Sequence, residues 1–437
     1  MGPRQARWQS CFVTPPGAVH CRADARCVNS GCLGICGSAW PARCQRVRQQ
    51  REANMFIQNR REFLKTTATA AGALGLGVAC APSEDQAAGG PAPMSILVLG
   101  GTGFIGPHMV RYAAARGHTV TLFNRGRTNT HLFPELEKLV GDRDGDLTAL
   151  EGRRWDAVID NSGFVPRHVR DSAALLSDSG QYMFVSSISA YRDLVTEGIT
   201  EDYEVGRLED PTVEEVTGET YGPLKALCEE AVQEVFGDRA NVVRPGYIVG
   251  PGDNTDRWTY WPVRVAAGGD MLAPGTPDQP IQFIDARDLG AWMVRMLEDR
   301  IGGVFNGVGP TEAVTWGGFF QACREVSGSD TEMHWVDSGF LQEQGVAFPI
   351  WAARDSSFGA VHSVDLSRAI EAGYTSRPME ETIGDTLEWW SGLTEEDRPG
   401  GVMFSGLRTR EMGFEPATID QMLEAEAELL SAWAARE

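Results

Sequence analysis

The stretch Ser95 to Gly106, SILVLGGTGFIG, constrains the fold more than any other part of the chain. Ser95–Leu99 is a short run of mostly apolar, β-prone residues, the pattern of a strand buried on both faces. Gly100, Gly101, Gly103 and Gly106 follow. An amphipathic run from Ile105 to Arg116 then sets Ile105, Met109, Val110 and Ala113 on one face, and Gly117 closes it. A glycine turn between strand and helix lets backbone N–H groups approach a pyrophosphate, and the helix N-terminus adds partial positive charge. Pro107 falls in the first turn, where its missing N–H would have had no partner. A tight turn alone would explain the glycines. The strand before them, the helix after and a second strand close behind favour a dinucleotide site lined by Gly100, Gly101, Thr102, Gly103, Phe104, Ile105 and Gly106.

The following segments extend that reading. Thr119–Phe123 reads as a second strand ending in Asn124-Arg125-Gly126. An acidic side chain at this point would bind a free ribose 2′-hydroxyl, whereas an arginine suits a 2′-phosphate. The acid is missing, so Asn124 and Arg125 tilt the expected cofactor toward NADP over NAD. Leu139–Asp142 reads as a third strand, placing Asp142 and Arg143 at the adenine end. Trp155–Asp160 is a fourth, leading into Asn161-Ser162-Gly163, a small polar loop expected to pass over the nucleotide. Gln181–Ser187 is a fifth. Strands alternating with helical segments give an α/β chain: a Rossmann-type doubly wound parallel sheet with a smaller C-terminal substrate-binding lobe.

The fifth strand ends in Ser186 and Ser187, at the carboxyl edge where ligands meet such a sheet. After a long connection, Tyr221-Gly-Pro-Leu-Lys225 opens a helix whose expected buried face is Leu224, Leu227, Cys228, Ala231 and Val235. Tyr221 and Lys225 are one turn apart. A neighbouring ammonium favours phenolate, giving a general base for an alcohol proton while hydride leaves for nicotinamide. Ser187 can hydrogen-bond the same oxygen. A Tyr and a Lys at this spacing are ordinary on any helix surface. Behind a glycine turn and a serine-ended strand they form a set.

The 437 residues carry a net charge of −21, which argues against nucleic acid as a partner. Residues 1–79 hold 11 Lys/Arg against 3 Asp/Glu, so the remainder is the acidic part, at −29. Residues 1–54 lack apolar periodicity and hold six of the nine cysteines at irregular spacing, without convincing His partners. They read as an extension outside the mature protein, and no metal site is expected. Residues 55–80 read as an export signal: Arg60 and Arg61 resemble a twin-arginine motif, and the run after them is too short to span a membrane. Gly77-Val78-Ala79-Cys80 resembles a lipoprotein box, so Cys80 is the expected lipid anchor, with 81–93 as tether. The expected location is the cell envelope or periplasm, with membrane attachment only through signal or lipid. The dinucleotide domain is assigned to 94–250, the substrate lobe to 251–395, and the tail to 396–437. The tail carries one docking helix, on Ile419, Met422, Leu423, Ala427, Leu430 and Trp433.

From Ser95 to about Trp390 the chain resembles the extended short-chain dehydrogenase/reductase family, the NAD-dependent epimerase/dehydratase group. The motifs that carry the resemblance are GGTGFIG, the Ser186-Ser187 strand end, Tyr221 with Lys225, RPGYIVGPGD from Arg244, FIDARDLG from Phe283 and VFNGVGP from Val304. The resemblance implies catalytic Ser187, Tyr221 and Lys225, Pro245 beside the nicotinamide, an NAD or NADP cofactor, and a homodimer built on the helices near His168 and Tyr221. Sugar-nucleotide dehydratases have an acidic pair after the strand-five hydroxyl. Here Ile188 and Ser189 stand there, so dehydration is not expected. Tyr191, Trp258, Tyr260 and Trp261 are the expected substrate contacts, with Arg257 and Arg264 beside the aromatic residues for an anionic group; an aromatic core cluster is the competing reading. The leading function is a nicotinamide-dependent oxidoreductase or epimerase acting on a sugar-like alcohol. A simple carbonyl reductase with exchangeable NADP(H), or a non-catalytic nucleotide-binding scaffold, are the alternatives.

Overall fold

The computed structural model describes residues 90–398 and 418–436, and the backbone of two short strands at 406–409 and 413–414. The extension, the export signal with Cys80 and nearly all of the tether lie outside the described residues.

Ser95–Leu99 (β1) is an interior strand of a seven-stranded sheet whose neighbouring strands all pair in parallel. Thr119–Asn124 (β2) and Glu137–Val140 (β3) lie to one side of it. Ala157–Asp160 (β4), Gln181–Val185 (β5), Ala240–Pro245 (β6) and, outermost, Gly303–Gly307 lie to the other. The alternation along β1 decides which side chain meets which layer. Ile96 and Val98 pack with Met109, Val110, Trp292 and Met293 on one face. Leu97 and Leu99 pack with Val169, Ala173, Cys228 and Val232 on the other. Helices Gly106–Ala115 (α1) and Ala286–Glu298 cover the first face, Pro166–Leu175 (α2) and Tyr221–Phe236 (α3) the second. This is the doubly wound Rossmann-type sheet read from the sequence. Its strand order reverses between β1 and β4, so their carboxyl ends open the crevice where such sheets bind ligands.

The segment after β6 builds a second core rich in aromatic residues. Tyr260–Ala267 (α4) leads into the strand Asp270–Pro274 (β7), and the outer sheet strand Gly303–Gly307 (β8) follows later in the chain. Glu332–Val336 (β9) pairs in parallel with β7. Trp258, Trp261, Trp316, Phe319, Phe320 and Phe348 interlock there, with ring centroids 5.0–5.8 Å apart along the chain of contacts. The tail helix Ile419–Ala434 docks on this core through Ile419 and Met422, while Ala427 faces solvent. Its buried Glu426 accepts from the Leu272 N–H at 2.9 Å and from the Arg264 guanidinium. No helix among the described residues is long and apolar enough to cross a membrane.

Candidate active site

Backbone conformation explains why the first loop is made of glycine. Gly100 and Gly101 have φ of 116° and 89°, a region that favours glycine. A Cβ on Gly106 would stand 2.5 Å from the Gly101 carbonyl carbon, whereas one on Gly103 would meet nothing. The turn is therefore closed on the protein side and open at Gly103, and it leads into α1 with no acidic side chain in the first turn. That arrangement fits a bound pyrophosphate. The loop after β2 is wired to it: Asn124 Nδ2 donates to the Gly100 carbonyl at 3.2 Å and Asn129 Nδ2 to the Thr102 carbonyl at 2.8 Å. Arg125 is exposed on that loop, and Val140, at the end of the next strand, is 64% exposed. Phe104 and Ile105 are half-buried beside Gly106.

On the other side of the switch point, Ser162 Oγ donates to the Leu99 carbonyl at 2.9 Å, and Asn161 lies directly against Gly100. Gly163 is buried, with no room for a side chain between Phe184 and Val169. Arg143 does not reach toward a nucleotide. It is turned inward, its guanidinium paired with both oxygens of Asp160 at 2.6 and 2.7 Å and bonded to Ser172 Oγ, while the Tyr182 hydroxyl also donates to Asp160. A buried carboxylate needs such partners, and Asp160 takes the nearest cation. Asp142 is held in a local turn, bridging to Asp146 and accepting the Asp144 N–H. Pro245 is buried at the end of β6 opposite Gly307.

Ser187 and Tyr221 come together at the carboxyl edge, close enough for the Ser187 hydroxyl to act on the phenol, and the Ser189 N–H donates to Ser187 Oγ at 3.1 Å. Burial pushes the Tyr221 phenol above its usual value, against the opposing pull of the Ser187 hydroxyl and the Arg257 charge. Lys225 does not lower it, contrary to the expectation from helical spacing. Its ammonium is fully buried and donates to the Gly163 and Val185 carbonyls, both at 2.7 Å, over the face of Phe184. Burial holds its pKa down to about 8. Arg257 lies over the Tyr247 ring and donates to Thr255 Oγ1 at 3.1 Å.

Four further expectations are corrected. Ser186 faces inward to Glu229 rather than outward to a cofactor. Tyr191 is buried, donating to Asn306 Oδ1 at 2.6 Å. Trp258, Tyr260 and Trp261 are each at most 1% exposed and form the second core, because α4 runs through that lobe instead of along its rim. Arg264 is consumed by Glu426 and offers nothing to an anion. Sequence reasoning missed Glu229 and gave Arg244 no role beyond opening a motif. Glu229 was one turn beyond Lys225, the signal that could have found it.

Residues 96–307 match the NAD dependent epimerase/dehydratase family. The family domain thus spans the whole parallel sheet from β1 to β8. Across a wider region the chain is 26% identical, over 61% of its length and 71% of the relative's, to the chloroplast stem-loop binding protein of 41 kDa b from Arabidopsis thaliana. It is 24% identical, over 71% of its length and 86% of the relative's, to 2′-dehydrokanamycin reductase from Streptomyces kanamyceticus. Its fold is similar to that of the Bordetella bronchiseptica enzyme WbmG, solved with NAD. That match has a TM-score of 0.52 and 18% identity, covering 69% of this chain and 94% of the other.

Proposed function

We propose that this chain is an NAD(P)-dependent oxidoreductase or epimerase acting on a sugar-like alcohol. The observation that carries the reading is the placing of Ser187 beside Tyr221 at the same sheet edge as the open glycine turn. Gly100, Gly101, Thr102, Gly103 and Gly106 would hold the pyrophosphate, and Asn161, Ser162 and Arg125 the adenosine side of the cofactor. When bound, the nicotinamide supplies a hydride acceptor or donor. The remaining work belongs to the protein. Tyr221 takes the hydroxyl proton, and Ser187 hydrogen-bonds the same substrate oxygen as its charge changes. Lys225 fixes the Gly163 loop against the end of β5. With Ile188 and Ser189 following Ser187, no acid stands ready to protonate a departing hydroxide, which disfavours dehydration. The kanamycin-type and sugar reductases among the relatives agree with a sugar-like substrate. The −29 charge beyond residue 79 weighs against the nucleic-acid role named for the Arabidopsis relative.

The location proposed from Arg60, Arg61 and Cys80 is the cell envelope, with the cofactor carried out in the folded protein and regenerated within each turnover. Envelope-fraction protein, dialysed extensively, is expected to retain stoichiometric cofactor and to reduce it on adding free sugars. Protein that is empty and works only with added NAD(P) would refute the retained-cofactor part. Failure to bind either nucleotide would refute the enzyme reading itself. A homodimer through α2 and α3 is expected by light scattering at micromolar concentration, and a monomer would exclude it.

A further inference from the structure

Three successive turns of α3 each hold one residue at the end of β5. Tyr221 lies beside Ser187, Lys225 donates to the Val185 carbonyl, and Glu229 accepts the Ser186 hydroxyl. The third contact is anchored from behind. Arg244 on β6 donates to both Glu229 oxygens, with Nε at 3.0 and 3.2 Å and Nη2 at 2.6 Å, and its Nη1 donates to the Glu201 carbonyl at 3.2 Å. The same guanidinium lies over the Tyr191 ring, 4.7 Å from its centroid, and Tyr191 in turn donates to Asn306. Ser186, Glu229 and Arg244 are each at most 4% exposed. A fully buried ion pair is a poor source of stability compared with apolar packing, so its presence here calls for another role. Its position supplies one, because the residue it grips is the immediate neighbour of Ser187.

We propose that Glu229, held by Arg244, is a positioning residue that acts through Ser186 to fix the Ser187 hydroxyl against Tyr221. The inference rests on the oxidoreductase reading for its kinetic consequences, but not for its structural one. Tyr221 is faced by Ser187 from the end of β5, by Arg257 from the loop before α4 and by Cys228 from its own helix. Of these, Ser187 gives the largest effect favouring phenolate. Loosening Ser187 therefore moves the Tyr221 ionisation upward, and the limb of the pH–rate profile on which activity rises follows it to higher pH.

The test uses Ser186→Ala in the full chain, because it cuts the link yet leaves the Glu229–Arg244 pair intact; Glu229→Gln strands a buried guanidinium and serves only as a comparison. Relative to wild type, Ser186→Ala is expected to lower kcat about tenfold with KM and cofactor affinity nearly unchanged, the pattern of lost transition-state geometry. Its pH–rate limb shifts to higher pH. The 13Cζ resonance of Tyr221 at neutral pH, assigned with Tyr221→Phe, moves toward its position in Ser187→Ala. An unshifted limb together with an unmoved resonance would overturn the proposal. A wild-type protein that binds no NAD(P)H would instead overturn the oxidoreductase reading, and the resonance would still decide whether Glu229 positions Ser187.

Discussion

The sheet edge and the second lobe use buried residues in opposite ways. At the edge, polar side chains are sunk into the protein and every one described above is tied to strand ends: Arg143 to Asp160, Lys225 to two carbonyls, Glu229 to Ser186 and Arg244. In the second lobe the interior is apolar, rings packed among aliphatic side chains, and one buried pair, Arg264 with Glu426, fastens the tail helix. Directional hydrogen bonds define where atoms stand, whereas apolar area defines mainly how much free energy holds them. The difference separates a region built for geometry from a region built for stability, and substitutions should reveal it.

The largest effect is expected from Trp261→Ala. It empties a fully buried site and should cost about 3–5 kcal/mol, read as a lower denaturant midpoint. A variant with unchanged stability but a raised KM would return Trp261 to the substrate contacts and break the comparison. Next comes acid. His362 is fully buried, hydrogen-bonded to the Ile350 carbonyl and the Gln282 N–H, and its pKa is lowered to about 4. The unfolded chain binds a proton near pH 6.5 that the folded one refuses. Stability therefore falls as pH drops from 6.5 to 4, by about 3 kcal/mol for this group. Asp256 opposes it: burial raises its pKa to about 7, so its contribution is present below the unfolded value and lost as pH rises through 7. Asp256→Asn should thus steepen the acid loss, and His362→Gln should flatten it, in melts run across that range. A slope unchanged in both variants would remove these groups from the pH response.

At the edge the effects should appear in rate and selectivity. Tyr221→Phe is expected to reduce turnover about a hundredfold or more while nucleotide remains bound. Near wild-type turnover would exclude Tyr221 as the base. Arg125→Ala should weaken NADP binding about tenfold relative to NAD, measured by calorimetry, since only NADP offers a 2′-phosphate for a charge-assisted bond. Equal weakening would show that the exposed guanidinium makes no such bond.

The two regions also differed in how legible they were. The glycine turn could be read because its demands are local: left-handed backbone at Gly100 and Gly101 and contact of Gly106 with Gly101 all lie within seven residues. The five strands were found for the same reason, with their ends displaced by up to two residues. Trp258, Tyr260 and Trp261 were ambiguous, since the same residues serve a sugar face or a core, and only the path of α4 separates the two. Helical spacing placed Tyr221 beside Lys225 but could not say where a flexible ammonium would turn. Arg143, Arg244 and Arg264 found their acids 17, 15 and 162 residues away. No periodicity reports a partner across such distances.

The outermost strand of the sheet has a consequence for how the protein must be made. Gly303–Gly307 pairs with β6 in register from Asn241 to Pro245, yet it follows nearly the whole of the segment that opens the second lobe. During synthesis, β6 therefore stands as a bare edge until some sixty residues later have emerged. An unpaired apolar edge is a template for pairing with other chains. The nucleotide-binding half consequently cannot be released by cutting after β6, and a ribosome stalled there would present a sticky intermediate in place of a finished domain.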